Sequence, residues 1–381
     1  MSTMERILRL MADKKASDVY LSALSPAMIK INGLAVPINS QILPPDAPLN
    51  LLAEVLPPER IEALKELGEL NMALPMEGIG NFRISGFRQR GNYAAVIRFI
   101  SNVIPSLDSL NLPLILANLV MEKRGLILMV GATGAGKSTT LASMIDLRNA
   151  TTPGHILTIE DPIEYLFTNK KSVVNQREVG SDTQSLQVAL KNALRQAPDV
   201  ILIGEIRDRE TMSAAIAYAQ SGHLCLATLH ANNSYQALNR IWGFYPVEVR
   251  STMLGDLAAA LKAIVSQRLL RTVDGSRTPA VEVMLNTQLS AELIEKGDFS
   301  GVKEAMEKSM AEGSQTFEVD IAKMIVDAKV TRKEGLLHAD SPTNLMWRLE
   351  NDFHSNKAAA EPQEDPDDAP SFTEITLDVK H

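Results

Sequence analysis

The chain has 381 residues, 45% of them apolar and 22% charged, which exceeds one average domain and leaves ample material for two packed cores. Its 38 Lys and Arg face 46 Asp and Glu, and a net charge of -8 disfavours a surface given over to gripping nucleic acid or anionic lipid. Cys225 is the single cysteine, so neither an intrachain disulfide nor a cysteine-built zinc site is available, as suits a reducing cytoplasm.

At the N-terminus Met4, Ile7, Leu8 and Met11 recur at helical spacing, and the mixed charge around them speaks for a packed amphipathic helix rather than a signal peptide. Residues 17–38 are short β-rich runs broken by Ser25-Pro26 and Asn32-Gly33, the punctuation of strands joined by turns. An amphipathic helix is expected within residues 46–70, where Leu51, Leu52, Val55 and Leu56 precede Pro57-Pro58 and Ile61, Leu64 and Leu67 resume the period. Residues 81–100 alternate apolar and polar around a Gly turn and predict a hairpin. Together these make a small α+β domain over residues 1–100.

The stretch from Ser101 to Pro113 carries two prolines and short polar breaks, which makes residues 101–112 the expected linker. The apolar segment from Leu110 to Met121 holds Asn and Pro and is too short to span a bilayer, so no transmembrane segment is expected and membrane association must come through partners. A second domain is expected over residues 113–356. There the apolar runs 126–130, 155–159, 199–203 and 224–228 alternate with helical segments, the pattern of a mostly parallel sheet flanked by helices. After Pro246 the spacing of Leu254, Leu257, Leu261, Ile264 and Val265 predicts a helix, followed by further helices to about Asn351. Residues 357–381 hold many acids, three prolines and little apolar surface, and predict a disordered acidic tail.

Gly131, Ala132, Thr133, Gly134, Ala135, Gly136, Lys137 and Ser138 fit G-x-x-x-x-G-K-[ST], preceded by an apolar strand and followed, from Thr139 onward, by a helical run. Such a loop converges backbone N–H groups on phosphate oxygens, while Lys137 reaches the β and γ phosphates and Ser138 offers its hydroxyl to Mg²⁺. ATP and Mg²⁺ are therefore the expected ligands. Downstream, Pro162 should stop the next strand and leave Glu160, Asp161 and Glu164 at its C-terminal edge, either to orient and deprotonate water or as a solvated acidic turn.

A third strand ends in Gly204-Glu205, with Gly204 where a Walker B strand ordinarily presents Asp, so Glu205 is the candidate acid toward metal-bound water. His223 and His230 bracket the fourth strand. Seven residues apart, they point to opposite faces and make poor joint ligands; His230, at the C-terminal edge, is either a phosphate sensor or a hydrogen-bonded structural histidine.

With the segments GATGAGKS, ILTIEDPIEY, DVILIGEIRDRET and GHLCLATLH in this order and spacing, the chain resembles the type IV pilus retraction ATPases, the PilT/PilU family of the secretion ATPase superfamily, from about Ser17 to Phe353. The resemblance implies a PAS-like α+β N-terminal domain, then a RecA-like P-loop ATPase domain with C-terminal helices, an α/β chain assembled as a homohexamer. It further implies a cytoplasmic motor at the inner-membrane face of the pilus machine, hydrolysing ATP beside a PilT-like retraction ATPase and an inner-membrane platform protein.

Carried onto this sequence, the family pattern makes Glu164 the catalytic base, Glu205 the support of Mg²⁺ or water, and His230, less directly His223, a sensor of γ-phosphate and the subunit interface. Arg83 and Arg98 match arginines that the family sets against γ-phosphate, sometimes from a neighbouring subunit; plain surface charge on a hairpin is the alternative. The lone Cys225 excludes the tetracysteine motif of extension and secretion ATPases. Residues 301–317, GVKEAMEKSMAEGSQTF, stand where the main retraction branch carries an AIRNLIRE-like segment, which implies the accessory branch. The rival expectations are an assembly module that does not hydrolyse ATP and a DNA-translocating motor on the same core.

Overall fold

The computed structural model describes residues 1–31, 33–100, 103–308 and 311–351, so the expected acidic tail lies outside the described residues. Helix α1 (Thr3–Asp13) starts where the hydroxyl of Ser2 accepts the amide of Glu5, and it buries Met4, Leu8 and Met11 along one stripe. Strands β1 (Asp18–Ser22), β2 (Pro26–Ile31) and β3 (Leu34–Ile42) follow as an antiparallel meander.

The single helix expected within residues 46–70 is two, α2 (Ala47–Ala53) and α3 (Pro58–Leu67). Pro57 has no amide for the preceding turn, and Pro58, with its φ fixed, opens a new helix. Strands β4 (Glu69–Met76), β5 (Gly80–Gln89) and β6 (Asn92–Ile100) complete a 6-stranded sheet of order β3-β2-β1-β6-β5-β4, in which β5 and β6 form the expected hairpin. One face of this sheet, with Val19, Leu21, Phe82, Ile84 and Ile97, packs on Leu8, Leu52 and Leu64 of the helices. Both free edges carry a proline, Pro37 in β3 and Pro75 in β4.

The second sheet begins after α4 (Ile115–Val120) with β7 (Gly125–Val130), α5 (Lys137–Thr151), β8 (Gly154–Glu160) and β9 (Ser172–Glu178). Next come α6 (Leu186–Ala193), β10 (Val200–Ile203), α7 (Arg209–Gln220), β11 (Leu224–Leu229), α8 (Ser234–Gly243) and α9 (Arg250–Ala260). Strands β12 (Leu261–Arg271) and β13 (Arg277–Leu285) close a 7-stranded sheet of order β13-β12-β7-β11-β10-β8-β9, parallel throughout except for the β12–β13 hairpin.

One expectation is corrected here: the helix after Pro246 ends at Ala260, and Leu261, Ile264 and Val265 belong to β12. A short buried strand and a buried helical segment share the same apolar run. The β-branched Ile264 and Val265, hydrogen-bonded between β7 and β13, decide for the strand. Strand β9, in which only Val174 is both apolar and buried, gave no apolar run to read.

Leu128, Val130, Leu157, Ile201, Ile203 and Ala227 face the helices α6 to α9, whereas Ile127, Met129, Leu202 and Leu226 face α4 and α5. The parallel strands are buried on both faces, which is why they read as continuous apolar runs. The chain ends in α10 (Gln288–Glu295), α11 (Phe299–Lys308), α12 (Phe317–Val326), α13 (Arg332–His338) and α14 (Pro342–Asn351). Phe317 and Ile321 of α12 and Leu345 of α14 pack on Leu270 of β12 and Ala280 of β13. Among the described residues no helix is long and apolar enough to cross a membrane.

Candidate functional site

The C-terminal ends of β7, β8, β10 and β11 open onto one cleft, the position where an open parallel sheet takes its ligands. Its walls include Thr133, Gly134, Lys137 and Ser138 from the loop after β7, Glu160 and Glu164 from the end of β8, Glu205 from β10, and His230 from β11. Sequence positions up to about a hundred residues apart are thus drawn together by strand order alone.

The loop curls so that α5 begins at Lys137, with Gly136 at φ +87 as its N-cap. The φ of Gly136 calls for glycine, and a Cβ there would stand 2.7 Å from the Nε2 of Gln267 and push that amide off the loop. Gln267, on β12, clamps the loop from behind: its Nε2 donates to the carbonyl of Ala135 at 2.8 Å, and its Oε1 accepts the hydroxyl of Thr140 at 2.8 Å. Lys137 is 92% buried by its 8% exposure and donates from Nζ to the carbonyls of Gly131 (2.8 Å) and Ala132 (2.9 Å). Burial lowers the pKa of its ammonium, and the carboxylates of Glu205 and Glu164 oppose that shift. An ammonium has three donors, so one N–H remains for an anion in the cleft.

Ser138 lines the cleft, while Thr139 shares a 2.9 Å hydrogen bond with the hydroxyl of Tyr165 on the opposite wall. Ala132 and Ala135 line a separate hollow on the far side of the loop, together with Thr133, Gly134, Asn232 and Gln267.

Glu160 shows some surface to the cleft, yet its carboxyl is closely surrounded by protein. That desolvation pushes its pKa up, against the hydrogen bonds it accepts from Thr158 (2.6 Å) and Gln176 (3.2 Å). Glu164 is exposed toward the same cleft. Glu205 is held at both oxygens: Oε2 accepts Arg207 Nε at 2.7 Å, and Oε1 lies 3.2 Å from His230 Nε2. Arg207 also lies 3.6 Å from Asp161, which ties the ends of β8 and β10 together.

Close packing of β8 against β10 favours glycine over the usual acid at this strand end. A Cβ on Gly204 would come within 3.1 Å of Glu160 Cα and 3.2 Å of the Ile159 carbonyl, contacts so tight that the neighbouring backbone would have to shift by a few tenths of an ångström to admit a side chain.

Three of the expected residues are not brought to the cleft. Arg83 on β5 and Arg98 on β6 belong to the first sheet and are absent from the walls of the cleft; Arg98 Nε donates to Asp18 at 2.9 Å. His223 stands at the opposite end of β11 from His230, with Nδ1 3.0 Å from the hydroxyl of Ser221. The structure adds groups the sequence did not single out, namely Gln267, Tyr165 and Arg207. Gln267 fell in the stretch read as helix, which hid its alignment with the loop.

The family described as "Type II/IV secretion system protein" matches residues 66–335 of this chain. The chain belongs to that family. Within it, the chain is 47% identical over 342 residues, 90% of each chain, to the type IV pilus ATPase PilU of Pseudomonas aeruginosa. It is 33% identical to the type IV pilus retraction ATPase PilT of the same organism, over 89% of this chain and 98% of that one. Among solved structures, the pilus retraction motor PilT with bound ADP superposes with a TM-score of 0.84 at 36% identity, covering 91% of this chain and 99% of that one. The resemblance carried by the four sequence segments is borne out, as is the α/β class with an N-terminal domain ahead of a RecA-like ATPase domain. These are the two halves of a secretion-family fold.

Proposed function

We propose that this chain is a motor subunit that hydrolyses ATP to drive or assist type IV pilus retraction. The observation that carries the reading is the convergence of Lys137, Ser138, Glu164, Glu205 and His230 on one cleft at the strand ends. Amides of residues 131–139 and the N-terminus of α5 cradle the triphosphate, and Lys137 brings its remaining N–H to the β and γ phosphates. Ser138 and Glu205 offer hard oxygen donors of the kind Mg²⁺ prefers, and the ion, when bound there, neutralises charge between the β and γ phosphates. Glu164, exposed to the cleft, takes the proton of the attacking water, while His230, paired with Glu205, meets the γ-phosphate.

Arg83 and Arg98 lie outside this cleft within one chain, which supports a ring in which a neighbouring copy delivers them. We take that ring as a homohexamer in the cytoplasm, docked on the inner-membrane pilus platform and working beside a PilT-like partner. The domains follow as residues 1–100, the linker 101–112 and the ATPase unit 113–356. The nucleotide shifts such a ring only through its differential affinity for open and closed interfaces, so the contacts made in trans to phosphate couple hydrolysis to motion.

The test is phosphate release by the purified chain with Mg²⁺, with and without the PilT-like partner and with DNA added. Release that needs Mg²⁺ and ignores DNA is expected. Calorimetry that registers no heat on titrating ATP and Mg²⁺ into folded protein removes the reading, and nucleotide binding without release by the chain, alone or with its partner, leaves only the assembly module.

A further inference from the structure

We infer that Arg268 and Asp340 are positioning residues through which the C-terminal helices α12 to α14 set the segment that follows His230. The inference rests on the nucleotide reading above only for its effect on turnover. Three consecutive residues of β12, Ser266, Gln267 and Arg268, reach both walls of the site. Alternation along a strand sends Gln267 one way, to the loop of residues 131–136, and its two neighbours the other. Ser266 Oγ donates to the buried carboxylate of Glu282 at 3.0 Å, and the same oxygen accepts the amide of Ser234, the first residue of α8, at 2.7 Å.

Arg268 completes the link. Its Nη2 donates to the carbonyl of Asn232 at 3.0 Å and pairs with Asp340, its Nη1 donates to the carbonyl of His338, and the guanidinium sits 4.0 Å from the ring centre of Phe317. Asp340, in the turn between α13 and α14, also accepts Asn233 Nδ2 at 2.7 Å. Asn233 in turn caps α8, its Oδ1 accepting the amide of Gln236 at 2.9 Å. His230 is therefore held in front by Glu205, and the residues just after it are held behind by a fork whose other tines end on the C-terminal helices. Only the planar guanidinium spans three acceptors at once; a lysine presents its donors from a single point.

This arrangement predicts a split between turnover and product binding. The clamp of Gln267 on the loop is untouched when Asp340 is removed, whereas the segment bearing His230 is freed. In Asp340→Ala and in Arg268→Lys, kcat for ATP falls about tenfold while the Kd for ADP stays within about threefold, the pattern of a contact that matters in the transition state rather than the ground state. Amide hydrogen exchange in Asp340→Ala speeds up across residues 230–234 and stays unchanged across residues 131–137. A kcat within about twofold of the unaltered chain in both variants, or a parallel loss of ADP affinity, overturns the inference. Unchanged exchange across residues 230–234 overturns it too. If the unaltered chain binds no ADP, the nucleotide reading fails on its own, and the exchange measurement still decides whether Asp340 holds this segment.

Discussion

Arg83 and Arg98 stand directly opposite one another across the β5–β6 ladder. Like charges facing each other on a sheet are destabilising unless something neutralises them; among the described residues, Arg98 meets a carboxylate, Asp18, whereas Arg83 has none and its buried Nη1 finds no hydrogen-bond partner. Arg83→Ala is therefore expected to leave Tm unchanged or higher, and Arg98→Ala to lower it because the buried Asp18 loses its close partner; each should slow ATP turnover by at least about tenfold, since an arginine placed on developing phosphate charge can be worth about 10³ to 10⁵ in rate. Mixing Arg83→Ala with Lys137→Ala subunits should restore part of the activity if the arginine acts across a subunit boundary. Full turnover in both single variants assigns the pair to surface charge.

Lys137→Ala is expected to abolish nucleotide binding, because it removes the buried cation that the loop is folded around. Glu164→Gln should keep binding and lose at least about a hundredfold in kcat, the usual contribution of a positioned base. Calorimetry and phosphate release on the same preparations separate the two, and a fast Glu164→Gln variant moves the base to another carboxylate of the cleft.

Glu160 ties function to stability. Desolvation raises its pKa in the folded chain, so the native state holds the proton more tightly than the unfolded chain does. Stability from this group is complete below the ordinary glutamate pKa of about 4.3 and is lost as pH rises from there through the raised value. Glu160→Gln removes the buried charge, so its Tm should exceed that of the unaltered chain at pH 8, and the gap should close as the solution is acidified. A gap that widens on acidification refutes the assignment.

Gly204→Ala tests the close approach of β8 and β10. The atoms its Cβ would meet are backbone, which cannot swing aside as a side chain can, so a cost of about 1–3 kcal/mol is expected, read from denaturant midpoints. Turnover should fall as well, since the shift displaces Glu160 and Glu205 together. Unaltered stability would show that the two strand ends are looser than their hydrogen bond from Gly204 N to Ile159 O at 2.8 Å suggests.

Much of this was legible from residues alone where a local rule decides the outcome. The stripe of Met4, Leu8 and Met11 fixed α1, and the apolar runs 126–130 and 224–228 marked strands buried on both faces. The glycines around Lys137 announced the loop before any neighbour was known. What stayed hidden depends on partners distant in sequence. Leu261, Ile264 and Val265 read equally well as helix until β7 and β13 supply their hydrogen bonds. For the same reason Gln267 gave no sign of its reach to Ala135 across 132 positions. Nor does any spacing rule reveal that Glu160 lies against Gly204.

The N-terminal sheet ends on both sides in a row of peptide groups, the kind of edge to which a strand of another chain can add. Pro37 and Pro75 interrupt those rows, each deleting a donor that a ladder would need. Strand addition is thereby disfavoured at both edges, which leaves any encounter with another chain to be decided by side chains rather than by peptide groups.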